Sequence, residues 1–309
     1  MRKIVIGVTT FERPQLLRRT LKAIAALKCT CEIHVFVADN SFEKQSGIAV
    51  VNEVRELGFP FPLSAFAVSG RGFTYPRNAL LSCAFEEGDF EGIALVDDDQ
   101  RPEPNWLQEL IDMQKALNAD IVAPVVMPEF EKPPSIWART SQTYFRDASA
   151  DGLVSTLSGD GGILLMRRAT LLVAKPWYNQ AFGMTGGADS DLFQRLKDKG
   201  ARFARAPHSV IHEFYPISRM SLAWAFKRAY RGGNSTILIE REHTPRHRIV
   251  LRELPLIVAG LFIGPLLAAV YLWSPGQAVD MISKAFRASG KLAALFGSKY
   301  FEYDKIHGK

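Results

Sequence analysis

The first 126 residues alternate short apolar runs rich in β-branched side chains with stretches of helical period, and this alternation restricts the chain to few architectures. Lys3–Thr9, Glu32–Ala38, Leu63–Val68, Gly92–Val96 and Asp120–Val126 read as strands. Pro14 opens a helical pattern with Leu17, Leu21, Ile24 and Leu27 on one face. Pro76–Glu86 and Glu103–Leu117 read as further helices. Strands alternating with helices predict an α/β fold, a doubly wound and mostly parallel sheet covered on both faces. Such sheets bind ligands beyond the carboxyl ends of their strands. Asp39 and the run Asp97-Asp98-Asp99 lie at such ends, so the pattern predicts one crevice that holds them.

Beyond residue 126 the pattern loosens. Residues 127–158 read as an irregular excursion with Pro133-Pro134 and scattered aromatics. Gly161–Met166 reads as a strand, Asp189–Lys199 as a helix stopped by Gly200, and Ser218–Gly232 as a long amphipathic helix. Leu254–Trp273 carries no charge and is long enough to span ~30 Å of hydrocarbon as a helix. Ser274-Pro275-Gly276 breaks it, and Val279–Phe296 sets Lys284, Arg287 and Lys291 among apolar residues. The predicted division is residues 1–245 as the α/β domain and 246–309 as an apolar, basic helical tail.

Charge and composition exclude several classes. From residue 241 onward there are ten Lys/Arg and five Asp/Glu, so the tail carries nearly all of the net +6. A basic tail predicts an anionic partner, whether membrane, nucleic acid or phosphorylated substrate; beside an apolar stretch an anionic membrane surface is expected, and no nucleic acid. The apolar content of 47% excludes a disordered chain. Cys29, Cys31 and Cys83 fit neither a disulfide scaffold nor a zinc spacing and suit a reducing compartment. The apolar run Ile4–Val8 is too short for a signal peptide, which predicts a cytosolic α/β domain.

Three adjacent carboxylates at Asp97-Asp98-Asp99 repel one another, and hard oxygen donors of this kind suit Mg²⁺ or Mn²⁺ bridging to a phosphate. The same run also reads as a solvated turn before the next helix. Gly186-Gly187-Ala188-Asp189-Ser190-Asp191 places two carboxylates at a helix start, as a catalytic pair or as a plain N-cap. Arg77, in Tyr75-Pro76-Arg77-Asn78, suits a phosphate or a base edge, or an ordinary surface position. His212 is open between metal ligand and ordinary histidine, and Arg219, Arg228 and Arg231 between phosphate ligands and a wet helix face. No Walker loop, nucleophile elbow or His-Glu-x-x-His occurs, and Gly70-Arg71-Gly72 lacks the third glycine of a dinucleotide fingerprint.

Taken in order, these segments resemble glycosyltransferase family 2, the inverting enzymes of GT-A fold. Val8-Thr9-Thr10-Phe11-Glu12-Arg13-Pro14 is similar to the family's opening strand and loop, and Ala38-Asp39-Asn40-Ser41 to its second strand end. Pro76-Arg77-Asn78 is similar to its Ala-Arg-Asn segment, Leu95-Val96-Asp97-Asp98-Asp99 to its DXD site, and Gly161–Arg168 to the strand beneath the acceptor. Gly186-Gly187-Ala188-Asp189 is similar to its Gly-Gly-Glu-Asp segment, with Ala188 where the family usually has Glu. The segment from His212-Glu213 to Arg231-Gly232-Gly233-Asn234 resembles bacterial exopolysaccharide transferases of the family.

The resemblance implies a nucleotide-sugar donor, a UDP-sugar, held by Thr9, Arg13, Asp39, Arg77, Asp97 and Asp98. It implies Mn²⁺ or Mg²⁺ on Asp97, Asp99 and His212, and Asp189 as the base with Asp191 as fallback. A glycan acceptor, lipid-linked, would meet Arg219, Arg228 and Arg231 at the cytoplasmic face of the inner membrane. Two alternatives stand beside this reading: a nucleotidyltransferase, whose first loop would usually be glycine-rich, and an inactive transferase-like membrane scaffold. Pro255, Gly264 and Pro265 are expected to bend the apolar stretch, which favours an in-plane or re-entrant hairpin over a spanning helix, beside the plain alternative of a buried core hairpin packed on the α/β domain.

Overall fold

The structure is a computed structural model, and it describes residues 2–145, 151–157, 159 and 161–301. Residues 146–150 of the excursion and the end of the tail, 302–309, lie outside the described residues. Strand β1 (Lys3–Thr10) leads through helix α1 (Pro14–Ala25) to β2 (Glu32–Asp39), then through α2 (Ser46–Glu56) to β3 (Leu63–Ala67). Helix α3 (Thr74–Ser82) precedes β4 (Gly92–Asp97), and a short β5 (Gln100–Pro102) precedes α4 (Trp106–Leu117). There follow β6 (Ile121–Phe130), β7 (Gly152–Val154), β8 (Ile163–Met166), a single turn α5 (Arg167–Thr170), α6 (Ala188–Asp198) and β9 (Phe203–Tyr215). Three long helices close the chain: α7 (Leu222–His243), α8 (Arg246–Val270) and α9 (Pro275–Leu295).

Among the described residues nine strands join one sheet in the order β3-β2-β1-β4-β8-β6-β9-β5, with β7 beside β9. The half from β3 to β4 is parallel, as the alternation predicts. The far half is mixed: β8 runs antiparallel between β4 and β6, and β9 is parallel to β6 but antiparallel to β5 and β7. Strand order reverses around β1, with β2 on one side and β4 on the other. That switch point brings the ends of β1 and β4 side by side, with Thr9 opposite Asp97.

Each face of the sheet is covered by helices. Pro14 at the first turn of α1 sets its φ, and Leu17, Leu21 and Ile24 bury one stripe against β1, β2 and β4. The other face carries α3, α5 and α6, and its core continues without a break into the tail through Ile237, Ile249, Ile257, Ala288 and Leu295. Helix α8 buries Ile249, Glu253, Ile257, Gly264 and Ala268, a seam of nearly four-residue spacing. Its other faces are open: Leu251 is 80% exposed, and Phe262, Leu266 and Trp273 are exposed beside it. It is one continuous helix that contains Pro255 and Pro265. The hairpin packs on the α/β domain along this seam, as the packed alternative has it, while the outer side of α8 is exposed.

Candidate active site

The cleft at the carboxyl ends of β1 and β4 has a volume of about 1140 Å³. Asp97 faces it from the last position of β4, its Oδ1 accepting hydrogen bonds from Thr9 Oγ1 at 2.9 Å and Arg77 Nη2 at 2.6 Å. Arg77 is only 2% exposed, lies with its guanidinium 4.7 Å from the Phe73 ring centroid, and is not among the lining residues. It orients Asp97 from behind. Asp98 turns into the β1–α1 loop, where it accepts from Thr10 Oγ1 at 2.8 Å and pairs with Arg13 at 3.1 Å. The loop is fixed from below, because the Thr20 hydroxyl donates to the carbonyls of Asp98 and Gln100 and the Gln100 side chain accepts from the Asp97 N–H.

Asp99 lies between two arginines, its Oδ2 3.4 Å from Arg13 and 3.2 Å from Arg219. Burial pushes its carboxyl up to about 7, helped by the neighbouring Asp98 and Glu213 charges and opposed by Arg219 and Arg13. Asp98 is shifted upward as well, chiefly by burial.

Asp189 lines the same cleft from the first turn of α6. Gly186 and Gly187 precede it with φ of 78° and 94°, a left-handed turn that other residues adopt with strain. Behind it is the fully buried Tyr178, whose phenol is pushed above its ordinary range by burial and then by the Asp189 charge. Asp191 points elsewhere: it is 1% exposed, pairs with Arg195 at 2.9 Å and lies 3.5 Å from His243 Nε2. Arg219, Arg228 and Arg231 all line the cleft, with Arg228 above the Trp224 ring at 5.1 Å.

Thus Thr9, Arg13, Asp97, Asp98, Asp99, Asp189 and the three arginines share one cleft. Asp39, His212 and Asp191 do not line it. Asp39 is fully buried and accepts from the N–H groups of Ser41, Gly47 and Ile48, tying β2 to the start of α2; Asn40 and Ser41 line the cleft in its place. His212 bonds Glu103 at 2.9 Å, because alternation along β9 sends it away from the face to which Glu213 points. Among the described residues no three His, Cys, Asp or Glu side chains are gathered as a metal centre.

The sequence reading missed Glu213, Tyr178 and two cleft residues from the tail, Arg252 and Arg287. Alternation along residues 209–214 would have found Glu213. Nothing local marks the others.

A large cleft at a switch point, lined by the Asp97–Asp99 carboxylates and by Asp189 at a helix start, suits a group-transfer enzyme. Residues 5–171, more than half of the chain, match the family described as Glycosyl transferase family 2, and the chain belongs to that family. It is 28% identical over 306 residues to the succinoglycan biosynthesis protein ExoM of Rhizobium meliloti (strain 1021), covering 97% of this chain and 94% of that one. A structure of S. aureus TarS shares the fold at 13% identity and a TM-score of 0.52, over 89% of this chain and 44% of that one. This chain therefore spans less than half of that TarS chain. A structure of TarS 1–349 in complex with UDP-GlcNAc gives a TM-score of 0.51 at 14% identity, over 100% of this chain and 95% of that one.

Proposed function

We propose that this glycosyltransferase moves a sugar from a UDP-sugar to a hydroxyl of a lipid-linked glycan, with inversion, in polysaccharide synthesis at the cytoplasmic face of the inner membrane. The observation that carries this reading is the single cleft that sets Asp97 and Asp99 against Asp189, with Arg219, Arg228 and Arg231 along its wall. The name of ExoM supports the polysaccharide setting, and the TarS complex with UDP-GlcNAc supports a UDP-sugar.

The donor set fits a divalent cation. Mg²⁺ and Mn²⁺ take hard oxygens, and one or two carboxylates suffice when phosphate oxygens and water complete the shell. Asp97 and Asp99 would hold the ion, which when bound neutralises the departing diphosphate. Thr9 and Arg77 fix the Asp97 carboxylate, and Arg13 and Arg219 fix Asp99. Asp189 accepts the proton of the acceptor hydroxyl as its oxygen attacks the anomeric carbon. The bond from that carbon to the diphosphate oxygen breaks on the opposite side, and its electron pair leaves with UDP. Attack and departure on opposite faces invert the configuration.

The test is product analysis. Full-length protein supplied with UDP-sugars, Mn²⁺ and a membrane extract as acceptor source releases UDP in an acceptor-dependent manner. Release of pyrophosphate would identify a nucleotidyltransferase instead, and absence of any turnover would fit a scaffold.

A further inference from the structure

Helix α9 reaches the cleft through a side chain for which the transfer chemistry above has no role. Arg287 lines the cleft beside Arg231, Gly232 and Thr236 of α7. Its position is set by backbone contact between the two helices. A Cβ on Gly233 would collide with the Arg287 carbonyl, and one on Gly290 with the Tyr230 carbonyl. Buried Asn234 then clamps the crossing: its side-chain amide donates to the Ser298 carbonyl at 2.9 Å and accepts from the Tyr300 N–H at 3.1 Å. This accounts for the Arg231-Gly232-Gly233-Asn234 segment, whose glycines admit α9 and whose asparagine holds it.

The crossing suspends Arg287 over Gly232, with Nη1 3.8 Å from where a Cβ would stand. Its one hydrogen bond among the described residues goes to Thr236 Oγ1 at 3.5 Å, the long limit for such a bond. Among the described residues no carboxylate pairs with it, whereas Arg219 pairs with Asp99 and Arg252 with Glu240 and Glu253. Arg231 extends toward the Gly186 turn that leads to Asp189, its Cδ 3.9 Å from a Cβ built there. Two guanidinium groups from different helices therefore line the same cleft, Arg231 toward the Gly186 turn and Arg287 over Gly232 and Thr236. Guanidinium forks match phosphate oxygens, and a polyanion between them removes their mutual repulsion.

We propose that Arg287 and Arg231 form a second anion subsite, which takes the phosphate or diphosphate carried by the acceptor, apart from the donor diphosphate at Asp97 and Asp99. The proposal rests on the transfer reading above. It makes α9 part of the active site and aligns the acceptor phosphate with the exposed apolar helix packed beside α9.

The test uses full-length protein with saturating UDP and Mg²⁺, titrated calorimetrically with inorganic pyrophosphate. Wild type binds pyrophosphate on top of UDP. Arg287→Gln weakens that binding about tenfold or more, the size expected for a lost charge-assisted bond, and Arg287→Lys restores part of it. UDP affinity is the same in all three. Unchanged pyrophosphate binding in Arg287→Gln overturns the proposal. Flotation on phosphatidylglycerol vesicles separates the two possible phosphate sources, with Arg287→Gln floating like wild type. A variant that loses flotation yet keeps pyrophosphate binding makes Arg287 a headgroup contact and also overturns the subsite. Failure of wild type to bind UDP would count against the transfer reading, while the pyrophosphate arm still decides the subsite.

Discussion

Asp99 carries opposing demands. Two arginines favour its charge, while burial, Asp98 and Glu213 oppose it and prevail. Its native pKa of about 7 lies above the ordinary 3.8, so between those values the folded state binds more protons than the unfolded one. Stability contributed by this group is complete below the ordinary value and is lost as pH rises through about 7. The ligand-free melting temperature of wild type therefore falls relative to that of Asp99→Asn as pH is raised from 5 to ~8. A cation needs the deprotonated carboxylate, so if Asp99 holds Mn²⁺ as proposed, Mn²⁺-dependent UDP binding is expected to strengthen through the same range. Asp99→Asn removes that metal-dependent binding in a calorimetric titration; retention of it would place the metal elsewhere.

Asp191 has a different part. Its carboxylate is buried against Arg195 and His243 and does not line the cleft. Breaking a buried pair from one side costs on the order of 3–5 kcal/mol. Asp191→Asn should accordingly lower the melting temperature while leaving kcat near wild type, a combination that a catalytic base would not give.

At the scale of elements, the tail is bound to the site by a glycine crossing. Gly290→Val forces a side chain against the α7 backbone, where overpacking typically costs ~1–3 kcal/mol. The expected result is earlier proteolysis between α8 and α9 and loss of turnover, with residues 3–235 still folded. Native-like protease resistance of the tail would show that α9 docks by other means. Truncation near residue 245 removes Arg252 and Arg287 from the cleft wall, so its effect extends beyond membrane attachment.

Much of the first half was legible because its signals are local. Apolar runs ending in Thr9, Asp39 and Asp97 mark parallel strands, and a parallel sheet by its nature gathers such ends. Strand β9 was missed because Arg205, Pro207, His208 and His212 interrupt its apolar character, and its pairing with β6 shifts register between Ala123 and Val125. Helix α2 was missed because its first turn is built on Gly47, a poor helix former, required where Asp39 Oδ2 would stand 2.9 Å from a Cβ. A carboxylate at a strand end reads alike in the sequence whether it binds a base or caps the next helix, and here Asp39 holds the N–H groups of Ser41, Gly47 and Ile48. Arg287 was illegible because its position depends on a crossing between helices far apart in sequence.

For the whole molecule, the outer face of α8 is an apolar surface left uncovered by the described residues, bordered by Arg246 and Arg248 at one end and Tyr271 and Trp273 at the other. Arg246–Val270 is long and apolar enough to cross a membrane by length and composition. With the cleft opening beside α9, this surface predicts co-flotation of the full chain with anionic liposomes, weakened by Leu251→Glu paired with Phe262→Glu. A chain that stays in the soluble fraction without detergent would remove the membrane from the account and leave a soluble glycan as acceptor. The central claim is that Asp189 takes the acceptor proton in a cleft whose donor side is independent of it. The direct measurement is acceptor-dependent UDP release by Asp189→Asn, alongside its UDP affinity with Mn²⁺. The account predicts unchanged UDP affinity with kcat reduced ~10²–10⁴-fold; turnover near wild type would contradict it.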